Sequence, residues 1–139
     1  MAQSISTKDI EQALRNCLKS KGYNLSDPKK HGETGVDLIA HKGNKKHHIE
    51  IIGFQEAKSV RSRQFYEIFF RSISRLKDGA HSIVIALPKR FADGLNKRAS
   101  QYGEAWERIG KAFPELEIWL VNCEQPYSYQ QTKWNDWLT

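Results

Sequence analysis

Two apolar runs, Val36 to Ala40 and His48 to Ile52, flank Gly43-Asn44, and this segment constrains the chain more than any other. A Gly-X pair between alternating stretches suits a two-residue type II′ turn. With Gly43 and Asn44 as the loop, Asp37 falls opposite Glu50 in the paired strands. Period-two alternation then places Asp37, Ile39, His48, Glu50 and Ile52 on one face, and Val36, Leu38, Ala40, Ile49 and Ile51 on the other. Like charges directly opposite destabilise a sheet. Two carboxylates so placed call for a cation between them, and a divalent metal ion is the usual one. The other reading is a solvated face on which the acids pair with Lys45, Lys46 or arginines; Leu38, Ile39, Ile51 and Ile52 favour a buried hairpin instead.

Around the hairpin the elements follow by periodicity. Ser6 or Thr7 caps a helix with Asp9 and Glu11 in its first turn, and Ile10, Ala13, Leu14, Cys17 and Leu18 form its inner stripe up to Gly22. A polar loop follows, Asn24 to Gly35, carrying Asp27-Pro28-Lys29-Lys30-His31. A second helix begins at Ser59 or Ser62, buries Phe65, Ile68, Phe69, Ser72, Ile73 and Leu76, and ends at Lys77-Asp78-Gly79. Ser82 to Leu87 is a continuous apolar run closed by Pro88, the pattern of a strand buried on both faces. Phe91, Leu95, Ala99, Tyr102, Trp106 and Ile109 trace a third helix, loosened at Gly94 or Gly103, and Leu116 to Val121 is the last clear strand. The expected fold is therefore α/β: a mixed sheet flanked by helices, order α-β-β-α-β-α-β, in one domain over residues 1–139 with an aromatic tail from about 125.

Net charge is +6, from 22 Lys and Arg against 16 Asp and Glu, which favours an anionic partner, most often nucleic acid. The excess lies before Ala112, because 112–139 holds one lysine and four acids. Cys17 and Cys123 stand far apart without metal-ligand spacing, pointing to a reducing compartment and against structural zinc. Met-Ala-Gln-Ser-Ile-Ser has neither a basic nor an apolar leader segment, and no apolar run approaches a membrane span. The chain reads as cytoplasmic, with no membrane partner.

A helix, then Gly-x-Asp-Leu-Ile-Ala, a basic hairpin, Ile-Glu-x-x-Gly and a helix leading to a buried strand: over roughly the first ninety residues this resembles the PD-(D/E)xK, or restriction-endonuclease-like, nuclease superfamily. The resemblance implies that Asp37 is the metal-binding acid of the first strand, Glu50 the acid of the E-x-K element, and Glu11 a further metal-shell carboxylate from helix one. It implies Mg²⁺, or Mn²⁺, as cofactor and hydrolysis of DNA phosphodiesters as the reaction. One departure stands out. The E-x-K lysine falls at position 52, which is Ile52. Either its role has migrated, with Lys58, Arg61 and Arg63 just past the strand, or the chain binds without cutting. Glu56-Ala57-Lys58 also spells E-x-K, in an expected loop.

The remaining candidates concern contact with nucleic acid. Lys42, Lys45, Lys46, His47 and His48 make a basic hairpin that either rides on phosphates or keeps a sheet edge soluble. Gln64, Glu67, Arg71 and Arg75 form a polar stripe on the second helix, which with Arg61 and Arg63 offers a phosphate track beside the acids; the Glu67 to Arg71 spacing alternatively suits a surface ion pair. Tyr127, Tyr129, Trp134 and Trp137 would stack on unpaired bases, form a homodimer or protein-interaction surface, or fold back over the sheet.

Overall fold

Six strands form one mixed sheet in which spatial order follows chain order, seen in a computed structural model that describes residues 4–30 and 35–138. The expectations that bear on residues 1–3 and 31–34, the missing leader and the His31 end of the polar loop, lie outside the described residues. Helix α1 (Thr7–Ser20) starts where the Ser6 hydroxyl accepts the Asp9 N–H at 3.1 Å, and it buries the anticipated stripe from Ile10 to Leu18. Strand β1 (Asn24–Leu25) pairs antiparallel with β2 (Leu38–Lys42), which pairs antiparallel with β3 (Lys45–Ile51). The hairpin has the expected register, Leu38 opposite Ile49 and Lys42 opposite Lys45. Gly43 takes φ +58°, and among the described residues none other than glycine has positive φ, which is the II′ pattern.

Helix α2 (Lys58–Ser74) runs into a short 3-10 turn, Arg75–Asp78, and stops at Gly79, whose φ is +79°. Strand β4 (Ile83–Pro88), buried at all six residues, lies parallel to β3. Two helices follow, α3 (Ala92–Tyr102) and α4 (Glu104–Ala112), then β5 (Leu116–Asn122), parallel to β4, and β6 (Ser128–Lys133), antiparallel to β5.

The class is thus mixed α/β, and the order is α-β-β-β-α-β-α-α-β-β. Three features separate it from the expected order. Strand β1 has only two residues and no room for an alternation signal. The third helix breaks in two at Gly103, where φ +49° and ψ −114° lie outside the helical region. The aromatic C-terminal stretch supplies β6 and a 3-10 turn, Trp134–Trp137. Its rings fold back: Trp134 stacks on Trp106 at 3.9 Å between centroids, and each indole N–H donates to the other's carbonyl. Tyr129 lies against Trp119, and the Trp137 indole donates to Thr132 Oγ1.

Two cores cover the two faces. Leu38, Ala40, Ile49, Ile51, Val84 and Trp119 pack under α1, while Ile52, Ile83, Ile85 and Leu87 pack with Phe65, Leu95 and Trp106 from the helices opposite. The alternation read from the hairpin is therefore the one realised, and Glu50 faces α2. Among the described residues no helix is long and apolar enough to cross a membrane.

Ile5 and Phe54 exchange backbone hydrogen bonds of 2.8 Å, which seats the start of α1 beside the end of β3. Gly53 permits this approach, since a Cβ there would collide with the Ile5 carbonyl oxygen and sit 2.9 Å from Thr7 N. Gly53→Ala is expected to cost about 1–3 kcal/mol, read as a lower urea midpoint at unchanged m. Gly94→Ala, where a Cβ meets open space within α3, should instead stabilise by about 0.5–1 kcal/mol.

Candidate metal and nucleic-acid site

Asp37 immediately precedes β2 and Glu50 lies near the end of β3, so the hairpin register alone brings them together. They are locked reciprocally. The Asp37 N–H donates to Glu50 Oε2 at 3.1 Å, and the Ile51 N–H donates to Asp37 Oδ2 at 2.9 Å. Each carboxylate thereby takes a backbone donor from the other's strand and extends the ladder past its last regular pair. Lys29 Nζ lies 2.7 Å from Asp37 Oδ1 and also donates to the Gly35 carbonyl. Arg71 Nε stands 3.7 Å from Glu50 Oε1, an ion pair too long to be a hydrogen bond.

The Glu50 side chain is 0 % exposed, whereas that of Arg71 is 48 % exposed. Burial first, and the Asp37 charge second, push the Glu50 carboxyl above its ordinary range; the Asp37 N–H and the guanidinium groups of Arg75 and Arg71 oppose this only in part. Glu50 Oε1 is buried without a hydrogen-bond partner. Ser72 Oγ on α2 and His48 Nδ1 on the same sheet face are likewise buried and unpaired, and burial holds the His48 imidazole below its usual range. A buried carboxylate oxygen without a hydrogen bond carries a desolvation cost that the long ion pair to Arg71 offsets only in part. Asp37 and Glu50 are the residues here that could hold a divalent ion of the Mg²⁺ type, which needs only one or two carboxylates from the protein.

A cleft of about 260 Å³ opens over this pair, lined by Thr7, Asp37, Ile51, Ile52, Gln55, Gln64, Glu67 and Arg71. Glu50 lies beneath it. Ile52, where the resemblance places a lysine, is 5 % exposed and belongs to the core under α2. Arg71 shares this cleft with the acids, but Lys58 does not: with Arg61 it lines a separate groove between α2 and α3. Arg61 donates to the carbonyls of Gln55 and Glu56 and lies over the Phe54 ring, and Arg63 is exposed on α2. Glu11 is engaged by Arg15 at 2.8 Å and does not line the cleft. Among the described residues no group of three or more His, Cys, Asp or Glu gathers as a metal site, so Glu11 does not join the two acids. On the hairpin, Lys46 is exposed, while Lys42 and Lys45 line an open depression with Tyr23 and Tyr129, Lys42 donating to the Lys21 carbonyl at 2.6 Å.

Sequence reasoning did not anticipate Lys29, Gln55 or Thr7 at the site. Lys29 reaches Asp37 from a loop that has no periodicity to announce it. Gln64, Glu67 and Arg71 were visible as a helical stripe, but the ion pair differs: Arg71 turns to Glu50, and among the described residues no ion pair joins it to Glu67. Compared with protein-family models, with curated proteins and with solved structures, the chain finds no significant match in any of the three.

The raised Glu50 value fixes the sign of a pH effect. An acid whose folded pKa exceeds its unfolded one destabilises the fold increasingly as pH rises from the ordinary carboxylate range through the folded value. Glu50→Gln should therefore be more stable than the wild type at neutral pH, the difference vanishing below the ordinary carboxylate range. Mn²⁺ should raise the melting temperature of the wild type and leave that of Glu50→Gln unchanged. A variant less stable at neutral pH and equally responsive to Mn²⁺ would mean that the arginines already satisfy Glu50.

Proposed function

We propose that this protein is a restriction-endonuclease-like, metal-dependent nuclease that acts on DNA at the cleft over Asp37 and Glu50. What carries the reading is a buried Glu50 oxygen that takes no hydrogen bond and only a long ion pair from Arg71, beside a second carboxylate at a polar cleft. Asp37 and Glu50 would hold Mg²⁺ or Mn²⁺, which when bound activates water and offsets phosphate charge. A helix, the short β1, the hairpin, a second helix and a parallel buried strand succeed one another along the chain, which supports the reading. Arg71, half-exposed on the cleft wall, would hold a phosphate oxygen and is the cation best placed to stand in for the lysine missing at Ile52. The amides of Gln55 and Gln64 would orient the phosphodiester or the attacking water. Lys42, Lys45 and Lys46 would add contacts to the phosphate backbone farther out.

A second reading, a nucleic-acid-binding module without hydrolysis, is favoured by one observation. Lys29 already sits at 2.7 Å from Asp37, so one acid of the pair has a cation from the chain itself. Incubating the wild type and Asp37→Ala with plasmid and branched DNA under Mg²⁺ and Mn²⁺ separates the two. Hydrolysis predicts nicking by the wild type and a fall on the order of 10²-fold or more in the variant. Binding without cutting predicts no nicking at any metal concentration and a salt-sensitive affinity that survives the substitution.

A further inference from the structure

The groove between α2 and α3, about 580 Å³ in volume, takes cations from both helices: Lys58 and Arg61 from α2, Lys97 and Arg98 from α3, against the single carboxylate of Asp93. Lys58 and Lys97 are exposed, and among the described residues neither forms an ion pair. The two arginines are held in place. Arg61 donates to two loop carbonyls, and Arg98 donates to Ser62 Oγ and the Tyr66 hydroxyl while lying over the Phe65 ring. A guanidinium so oriented loses little freedom when a phosphate arrives. In the same groove Tyr66 of α2 and Tyr102 of α3 are each 43 % exposed, and their hydroxyls hydrogen-bond one another, which fixes both rings.

Fixed, half-exposed aromatic rings among cations favour one kind of polyanion. Bases within a duplex already have their faces covered, so only an unpaired base can stack on a tyrosine. Phe54 lines the groove and the next residue, Gln55, lines the cleft, so the two share the chain segment that leads into α2. We propose that the α2/α3 groove holds an unpaired strand of nucleic acid. The strand continues from the cleft across the start of α2, with its phosphates on Lys58, Arg61, Lys97 and Arg98 and its bases against Tyr66 and Tyr102. The preferred substrate is then a duplex with a single-stranded arm next to the cleaved bond, a preference that rests on the nuclease reading given above.

The test is fluorescence anisotropy with a labelled single strand of about 12 nucleotides and a blunt duplex, across a salt series, with arm-bearing and blunt substrates cleaved in parallel. Lys58→Ala/Lys97→Ala should weaken single-strand binding and lower its salt slope by about 1.4, two contacts at ~0.7 each. Tyr102→Ala should weaken it roughly tenfold at one salt concentration without changing the slope. The proposal is overturned by wild-type single-strand binding no tighter than that of the variants. Equal loss on the blunt duplex, the mark of an indiscriminate basic patch, overturns it as well. Cleavage lost in Asp37→Ala, with arm preference intact in the double lysine variant, defeats the groove and spares the cleft. Single-strand binding with these variant effects but no cleavage under either metal supports the groove and removes the hydrolytic reading.

Discussion

Two hydrogen bonds from backbone to carboxylate, Asp37 N–H to Glu50 Oε2 and Ile51 N–H to Asp37 Oδ2, close the open end of the β2–β3 hairpin, and the site depends on them. At the other end Gly43 sets the register through its positive φ. A slip of β3 by one residue would turn Ile49 and Ile51 away from α1 and carry Glu50 to the opposite face. The apolar residues under α1 therefore decide where the acid goes: once they are buried, Glu50 must lie beneath α2. The N–H of Asp37 meets it there and offsets part of the cost of burying a carboxylate, and the remainder appears in its raised pKa.

Helix α2 then divides the surface. Phe65, Ile68 and Ser72 face the sheet, Gln64, Glu67 and Arg71 face the cleft, and Lys58, Arg61, Ser62 and Tyr66 face the groove. At 3.6 residues per turn these are two flanks on either side of one buried stripe. The phase of the helix, set by its apolar residues, thus separates a cation that can reach the acids from cations that cannot. That is why Lys58, which completes an E-x-K spelling in the sequence, lies away from the cleft.

Elements announced by local periodicity were legible: the stripe of α1, the register and faces of the hairpin, and the buried run of β4. The exposed edge strand β6 was not, because its residues are partly or fully exposed throughout and lack a buried alternation. The turn at Gly103 was legible only as a weakness in the helix, since whether a glycine breaks a helix depends on what each half packs against. At the site, the convergence of Asp37 and Glu50 followed from pairing alone. The cations around them did not. Lys29 arrives from an irregular loop, and Arg71 passes over the exposed Glu67 for a fully buried carboxylate, where the low local dielectric makes attraction stronger.

Ile52 gives this arrangement its chemical character. A lysine at that position would place a cation in the cleft floor beside Glu50, neutralise it, and pull its carboxyl down. Isoleucine instead packs into the core with Phe65 and Ile85 and leaves the negative charge to be balanced from outside. The balancing groups, Lys29 and Arg71, are long side chains on the rim, and neither belongs to either apolar core. Both cationic side chains reach water, Lys29 at 27 % and Arg71 at 48 % exposure. Exchanging them for another cation disturbs no buried packing, so the charge at the two acids can change partners while the hairpin beneath them stays as it is.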